Sequence, residues 1–232
     1  MGKNLIVQAR GRGGPRYRSP GFRFKGAIEM RAPATISGII EDIIDCPGHD
    51  APLAKIKYDD GVTSLLPAYE NALVGAKVSS GTEEINPGNV TTLDKIPEGV
   101  LIYNIELKPG DGGRVCRTPG TSAKIIAKTG DYAIVLLPSK RQKAFALNCR
   151  AIIGTVAGGG INEKPIFKAG NHWHMRHARN KRYPGVKGCS QNAVDHPFGN
   201  KRSSRKAKQV PVGHSAPPGR KIGTLWPRPR TR

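Results

Sequence analysis

The sequence predicts an all-β fold: two small barrels or sandwiches with a basic extension at each end. Three observations predict it. Short β-branched runs recur about every ten residues between Gly and Pro punctuation, a spacing of small β-domains and not of βαβ units. Helical signals are sparse. Charge is segregated: residues 1–31 hold 8 Lys/Arg and one acid, residues 32–170 hold 15 of each, and residues 171–232 hold 15 Lys/Arg and one acid.

The strands follow in order. "ATISGIIEDIID" is bounded by Pro33 and by the turn "CPGHD". "APLAKIKYDDGVTSLLPA" reads as two strands joined at Asp60-Gly61, a strong hairpin signal. "AKVSSG" and "GNVTTLDKIPEGVLIYNIEL" continue the pattern, with at most a short helical turn at Asn71–Gly75. In the second half, "GGRVCR", "SAKIIAKTG", "YAIVLLPS" and "KAFALN" are short strands, Thr129-Gly130-Asp131 is a turn, and "CRAIIGTVAGGG" closes the unit. A boundary near residues 104–110, at "NIELKPGDGG", gives a first barrel over 32–106 and a second over 107–170. Each has about 65–75 residues, enough for a modest core. Residues 171–232 read as irregular basic chain, opening with a short helix around His172–Arg179.

The formal net charge of +21 lies entirely in the two ends. A tail of net charge +14 repels itself and has little to bury, so it needs a polyanion to order it. Nucleic acid, an anionic membrane and an acidic protein all qualify. Arg and Lys mixed with Gly and Pro, without an apolar stripe, argue against a membrane-surface helix. No apolar run approaches the roughly 18 residues of a bilayer span. The N-terminal segment has no apolar core of a secretory signal. Cys46, Cys116, Cys149 and Cys189 are scattered and form no CxxC, which fits a reducing, cytoplasmic setting.

The candidate RNA contacts are cationic. In the N-terminal arm, Arg10, Arg12, Arg16, Arg18 and Arg23 are spaced by Gly and Pro, so the arm is either a solubilising tail or an extended segment that orders on RNA. "GDGGRVCR" offers backbone N–H groups with Arg114 and Arg117 alongside. Lys140 and Arg141 sit on a hairpin tip, and Arg150 and Lys168 add to the set. The tail supplies Arg176, Arg179, Lys181, Arg182 and Lys187, then Lys201, Arg202, Arg205 and Lys206, then Arg220 and Lys221. Such contacts give affinity without reading sequence. Aromatics are only 6% of the chain and form no stacking strand, so folded RNA read by shape is favoured over single strands.

Asp195-His196 looks like an acid–base pair, but neighbours on an extended chain point to opposite sides, and no GxSxG nucleophile is present. His196 therefore suits an RNA contact better than catalysis. His172, His174, His177 and Cys189 carry zinc-ligand chemistry, but their spacing matches no helical ligand pattern and arginines lie among them. "AGGGIN" and "PGDGGR" do not match GxxxxGK[ST]. No metal and no cofactor is expected, apart from Mg2+ carried by RNA.

The motifs "VDHPFG", "KPIFKAGNHWHMRHARNKRYPGVKG" and "HSAPPGRKIG", with the core segment "GNVTTLDKIPEGVLIYNIELKPGDGGRVCRTPGTSAKII", resemble the family of the second protein of the large ribosomal subunit. "QARGRGGPRYRSP" resembles its archaeal and eukaryotic branch. The resemblance implies an oligonucleotide-binding-type barrel followed by an SH3-like barrel, with extended basic arms at both ends. It implies a primary binder of large-subunit rRNA, with small-subunit contacts at the interface and other ribosomal proteins as partners. It implies support for subunit association, for tRNA binding and for the peptidyl-transferase region. It implies no enzyme; a supporting role in peptide-bond formation has been proposed for the motif histidine, here His196, and is disputed. Where the family usually has a Gly run after this motif, Asn200, Lys201 and Arg202 follow Gly199, which favours a scaffold. A non-ribosomal RNA chaperone is the alternative.

Overall fold

A computed structural model describes residues 5, 12–19, 21–31, 34–200, 212, 215–217 and 222. The chain divides into two compact units. One is Phe22–Pro165; the other joins the N-terminal residues up to Gly21 with the chain from Ile166 onward.

The first unit is all β. Its strands are β1 (Ile36–Ile44), β2 (Leu53–Tyr58), β3 (Thr63–Pro67), β4 (Lys77–Ser80), β5 (Val90–Thr92), β6 (Leu101–Tyr103), β7 (Ala123–Thr129), β8 (Tyr132–Leu136), β9 (Gln142–Ala146) and β10 (Arg150–Ile153). They hydrogen-bond in the order β3-β2-β1-β4-β5-β10-β6-β7-β8-β9. All pairings are antiparallel except β4 with β5, which meet at Ser80 and Val90. Bulges at Ile40/Asp42 in β1 and at Ile125/Ala127 in β7 bend the two longest strands, as a sheet that curls around a core requires. The β2–β3 connection is tied by Gly61 N–H to Tyr58 O (2.8 Å), with Gly61 at φ +82°. The Asp60 carboxylate accepts from Val62 N–H at 3.2 Å.

Two apolar clusters fill this unit. The first gathers Ile40, Leu53, Ile56, Leu66 and Val78; the second gathers Leu93, Ile96, Ile125, Val135 and Phe145. Each such fully buried side chain contributes about 1.5–3 kcal/mol. Strand alternation lets two strands serve both clusters. On β6, Ile102 faces the second and Tyr103 the first; on β10, Ala151 and Ile153 face the second and Ile152 the first. Tyr103 is buried, and its hydroxyl donates to Pro67 O at 3.0 Å. The second cluster thus begins at Leu93, ahead of the sequence boundary at 104–110.

"GGRVCR" forms no strand, only an isolated bridge between Ile105 and Val115. Gly112, Gly113 and Cys116 all have positive φ, which breaks the pleat. Asn71–Gly75 is a turn held by Ala72 N–H to Tyr69 O. In the second unit, the predicted helix is present as α1 (Ala169–Ala178), one turn earlier than its expected start.

One predicted RNA contact is internal. Arg150 is 6% exposed and Glu106 0%. The Glu106 carboxylate accepts from Arg150 Nη2 (2.7 Å), Nε (3.3 Å) and backbone N (2.9 Å), and from Gly112 N (3.3 Å). Arg150 Nη1 donates to Arg31 O. With its guanidinium committed inside the fold, Arg150 leaves the set of RNA contacts. A buried ion pair broken on one side leaves an uncompensated charge, so Glu106→Gln should destabilise the protein by about 3–5 kcal/mol. Denaturant unfolding of the two proteins measures this.

Candidate nucleic-acid interface

The loop from Leu107 to Arg117 is built around one carboxylate. Asp111 accepts from Leu107 N–H (3.0 Å) and Lys108 N–H (3.3 Å) on one oxygen, and from Gly113 N–H (3.0 Å) on the other. Burial alone would raise the Asp111 pKa, but these three donors and the Arg114 charge outweigh it and hold the group below its ordinary value. The loop's N–H groups therefore do not point to an outside anion as "GDGG" suggested: Asp111 takes that of Gly113 and Glu106 that of Gly112. What the loop presents is side chains.

Arg114 and Arg117 line a cavity of about 430 Å³ together with Phe24, Ile28, Glu29, Met30 and His49. Arg114 is exposed; Arg117 is half-buried and anchored by a bond from Nη1 to Gly113 O at 3.0 Å. Burial and the neighbouring Arg114 charge both lower the Arg117 pKa, against the opposing pull of Asp111. Two guanidiniums that line one cavity gain when an anion comes to lie against both, an effect opposed by the Glu29 and Asp111 carboxylates that line it too. His49 stacks on Phe24, with ring centroids 5.6 Å apart, and its Nδ1 is buried without a hydrogen-bond partner. A Cβ on Gly48 would lie 2.5 Å from the Phe24 ring, so glycine there lets Phe24 lie against the turn. His49 was not singled out from the sequence; a lone histidine in a turn carries no local signal.

Lys140 and Arg141 are exposed on the β8–β9 connection, as the hairpin reading expects, and Arg23 is exposed at Gly21–Arg23.

In the second unit, Arg12, Arg16 and Arg18 are exposed around a short turn, Pro15–Tyr17. That turn is tied to the C-terminal chain by Asn180, whose side-chain amide donates to Pro15 O (2.7 Å) and Arg18 O (3.1 Å). Lys168, Arg176, Lys181 and Lys187 are exposed, while Arg179 and Arg182 are partly buried. No residue of α1 is buried. Trp173 stacks on His177 at 4.8 Å and meets His174 edge-on at 4.9 Å. His172 packs on Tyr183 and accepts from Arg176 Nε at 3.0 Å. Among the described residues no three His, Cys, Asp or Glu stand close enough to share a metal ion.

The His196 segment is folded, not extended. Asp195 N–H and His196 N–H both donate to Asn192 O, and Gly199 N–H to His196 O (2.8 Å). His196 Nδ1 accepts from Phe198 N–H at 3.0 Å, which puts the ring proton on Nε2. The ring lies against Gly188, where a Cβ would be 2.3 Å away. A Cβ on Gly199 would fall 2.4 Å from Asn192 and Gln191 backbone atoms. Both glycines are dictated by close packing. Arg10, Lys201, Arg202, Arg205, Lys206, Arg220 and Lys221 lie outside the described residues. Among the described residues no helix is long and apolar enough to cross a membrane.

A family model described as Ribosomal Proteins L2, C-terminal domain, matches residues 86–216, more than half of the chain. The chain is 43% identical over 235 residues to large ribosomal subunit protein uL2 of Methanothermobacter thermautotrophicus, with 98% of each chain covered. It is 41% identical to the protein of that name from Methanosphaera stadtmanae, covering 97% of this chain and 96% of the other. For the one from Nanoarchaeum equitans the identity is 44%, with 98% of each covered.

The cavity histidine yields a pH signature. Burial, then the Arg117 charge, lowers the His49 pKa below its ordinary 6.5. The unfolded chain therefore binds a proton first as pH falls, and stability drops once pH passes below that ordinary value. The contribution is intact above it and is lost through the window down to the lower folded value. Thermal unfolding followed from neutral pH into that window should show the decline, and His49→Gln should flatten it.

Proposed function

Since the chain belongs to the ribosomal protein L2 family, we propose that it is an rRNA-binding structural constituent of the large ribosomal subunit, of the archaeal type, acting in the cytoplasm. The observation that carries this reading is likeness along the full chain: 43% identity with 98% of both chains covered. In this reading residues 32–106 build mainly the oligonucleotide-binding-type barrel and residues 107–170 mainly the SH3-like barrel. The basic segments 1–31 and 171–232 are the arms that enter RNA. Support for subunit association, for tRNA binding and for the peptidyl-transferase region belongs to the same proposal.

The mechanism is charge neutralisation positioned by a neutral body. The arms contribute most of the cations. Their phosphate contacts release counterions, which makes affinity strong and salt-dependent. The cavity of Arg114, Arg117 and His49 is a fixed phosphate site on the body, and the exposed tip of Lys140 and Arg141 is a second contact. Arg donors suit phosphate oxygens, and two arginines line this one cavity. His196 is a packing and RNA-contact residue here, since one of its two nitrogens already serves Phe198 N–H.

The test is the salt dependence of binding to large-subunit rRNA. The wild-type affinity should fall steeply with salt. Arg114→Gln and Arg117→Gln should each reduce the log–log slope by about 0.7–0.9, the share of one phosphate contact. A slope unchanged in both variants would remove the cavity from the interface. A flat wild-type slope would defeat the RNA reading itself. An RNA chaperone outside the ribosome would fail to co-sediment stoichiometrically with large subunits after a high-salt wash.

A further inference from the structure

Helix α1 buries no residue, so packing does not account for its side chains. Its sequence, "AGNHWHMRHA", carries a tryptophan, a methionine and three histidines. A helix that docks on a protein gathers its apolar residues in one stripe. Here Trp173 and Met175 stand two positions apart, about 200° around the helix, and share no face. A shared metal ion does not account for the histidines either, since among the described residues no three candidate ligands come together.

Trp173 is held in place without being buried. The His177 ring, one turn on, stacks on the indole with an interplanar angle of 17°. His174 meets it at 89°, with centroids 4.9 Å apart. With both rings in place, Trp173 is still 42% exposed. The space beside Gly170, one turn earlier, is also open: a Cβ there would meet nothing within 4 Å. Solvent thus reaches an indole whose motion two histidines already restrict. A flat partner lying on it would cost little further side-chain entropy.

The charges around the ring select that partner. Lys168, Arg176 and Lys181 are exposed, and residues 171–232 hold a single acid. An aromatic surface among cations matches an unpaired nucleobase, which brings a π-face and flanking phosphates together. We infer that Trp173 is a stacking platform for one unpaired base of the bound rRNA, with Lys168 and Arg176 serving the phosphates on either side. A base paired and stacked within a duplex offers no free face, so the ring selects a splayed nucleotide. This single stack adds to a surface that otherwise engages phosphates, in keeping with the low aromatic content of the chain. The inference rests on the rRNA-binding reading.

Two substitutions separate the ring from its bulk. Trp173→Leu keeps an apolar side chain and removes the ring; it should bind large-subunit rRNA roughly fivefold to a hundredfold more weakly, the range of one base stack. Trp173→Phe keeps a ring and should bind within about threefold of wild type. Both should melt with the wild type, because α1 buries nothing. Stacking releases no counterions, so the salt slope of Trp173→Leu should equal that of the wild type. Trp226→Phe leaves Trp173 as the sole tryptophan, and its emission should be quenched as rRNA is added. Wild-type affinity in Trp173→Leu, the result expected if the ring meets a protein instead, overturns the inference. A loss accompanied by a lower slope overturns it too, as does unchanged emission. If the wild-type protein does not bind this RNA, the broader reading fails first.

Discussion

The carboxylate of Glu106 organises the body of this protein. It receives four N–H donors, three from Arg150 and one from Gly112, and it is fully buried. Those bonds fix the start of β10 against the end of the segment that follows β6. They also hold Gly112, within the loop that carries Arg114 and Arg117. A buried charge needs complete satisfaction, and here that demand ties a distant strand to the loop. The β5–β10–β6 arrangement, and hence the sharing of two strands between two apolar clusters, depends on this meeting.

Electrostatics divides the chain's labour. The body carries equal numbers of acids and bases, so it folds without self-repulsion. Its acids are spent on local work: Asp111 caps a loop, Asp60 takes the Arg31 guanidinium, and Glu41 pairs with Lys55. The ends have almost no acids to spend, and α1 has no buried residue. Their order leans on short-range devices instead: an asparagine bonded to two carbonyls, rings stacked along a helix, glycines under a histidine and beside a backbone turn. With one acid in each of these two segments, their cations have little anionic competition for the proposed rRNA.

Most strands were legible because β-branched runs and turn residues agree. Ile36–Ile44, the Asp60-Gly61 connection and the Thr129-Gly130-Asp131 turn all carry local signals that no tertiary contact reverses. The two-faced strands were not legible. β6 is three residues long, and nothing in "LIY" says that Ile102 and Tyr103 serve different clusters. Arg150 misled for a related reason: an arginine reads as surface until its partner, 44 residues away, is known. The "GDGG" segment showed its turns but not that its N–H groups were already taken. Of the candidate site, Arg114 and Arg117 were visible as cations. His49 became visible only through the cavity that places it beside them.

The late position of β10 has a consequence for the body as a physical system. Residues 150–153 lie between β5 and β6 and present side chains to both clusters. Neither cluster is complete in a chain that ends before them, although most of the first is encoded before residue 80. The two cores therefore lose or gain their order together, as one cooperative unit. Two barrels by shape are a single element by thermodynamics, and neither is free to be exchanged, duplicated or lost as a module.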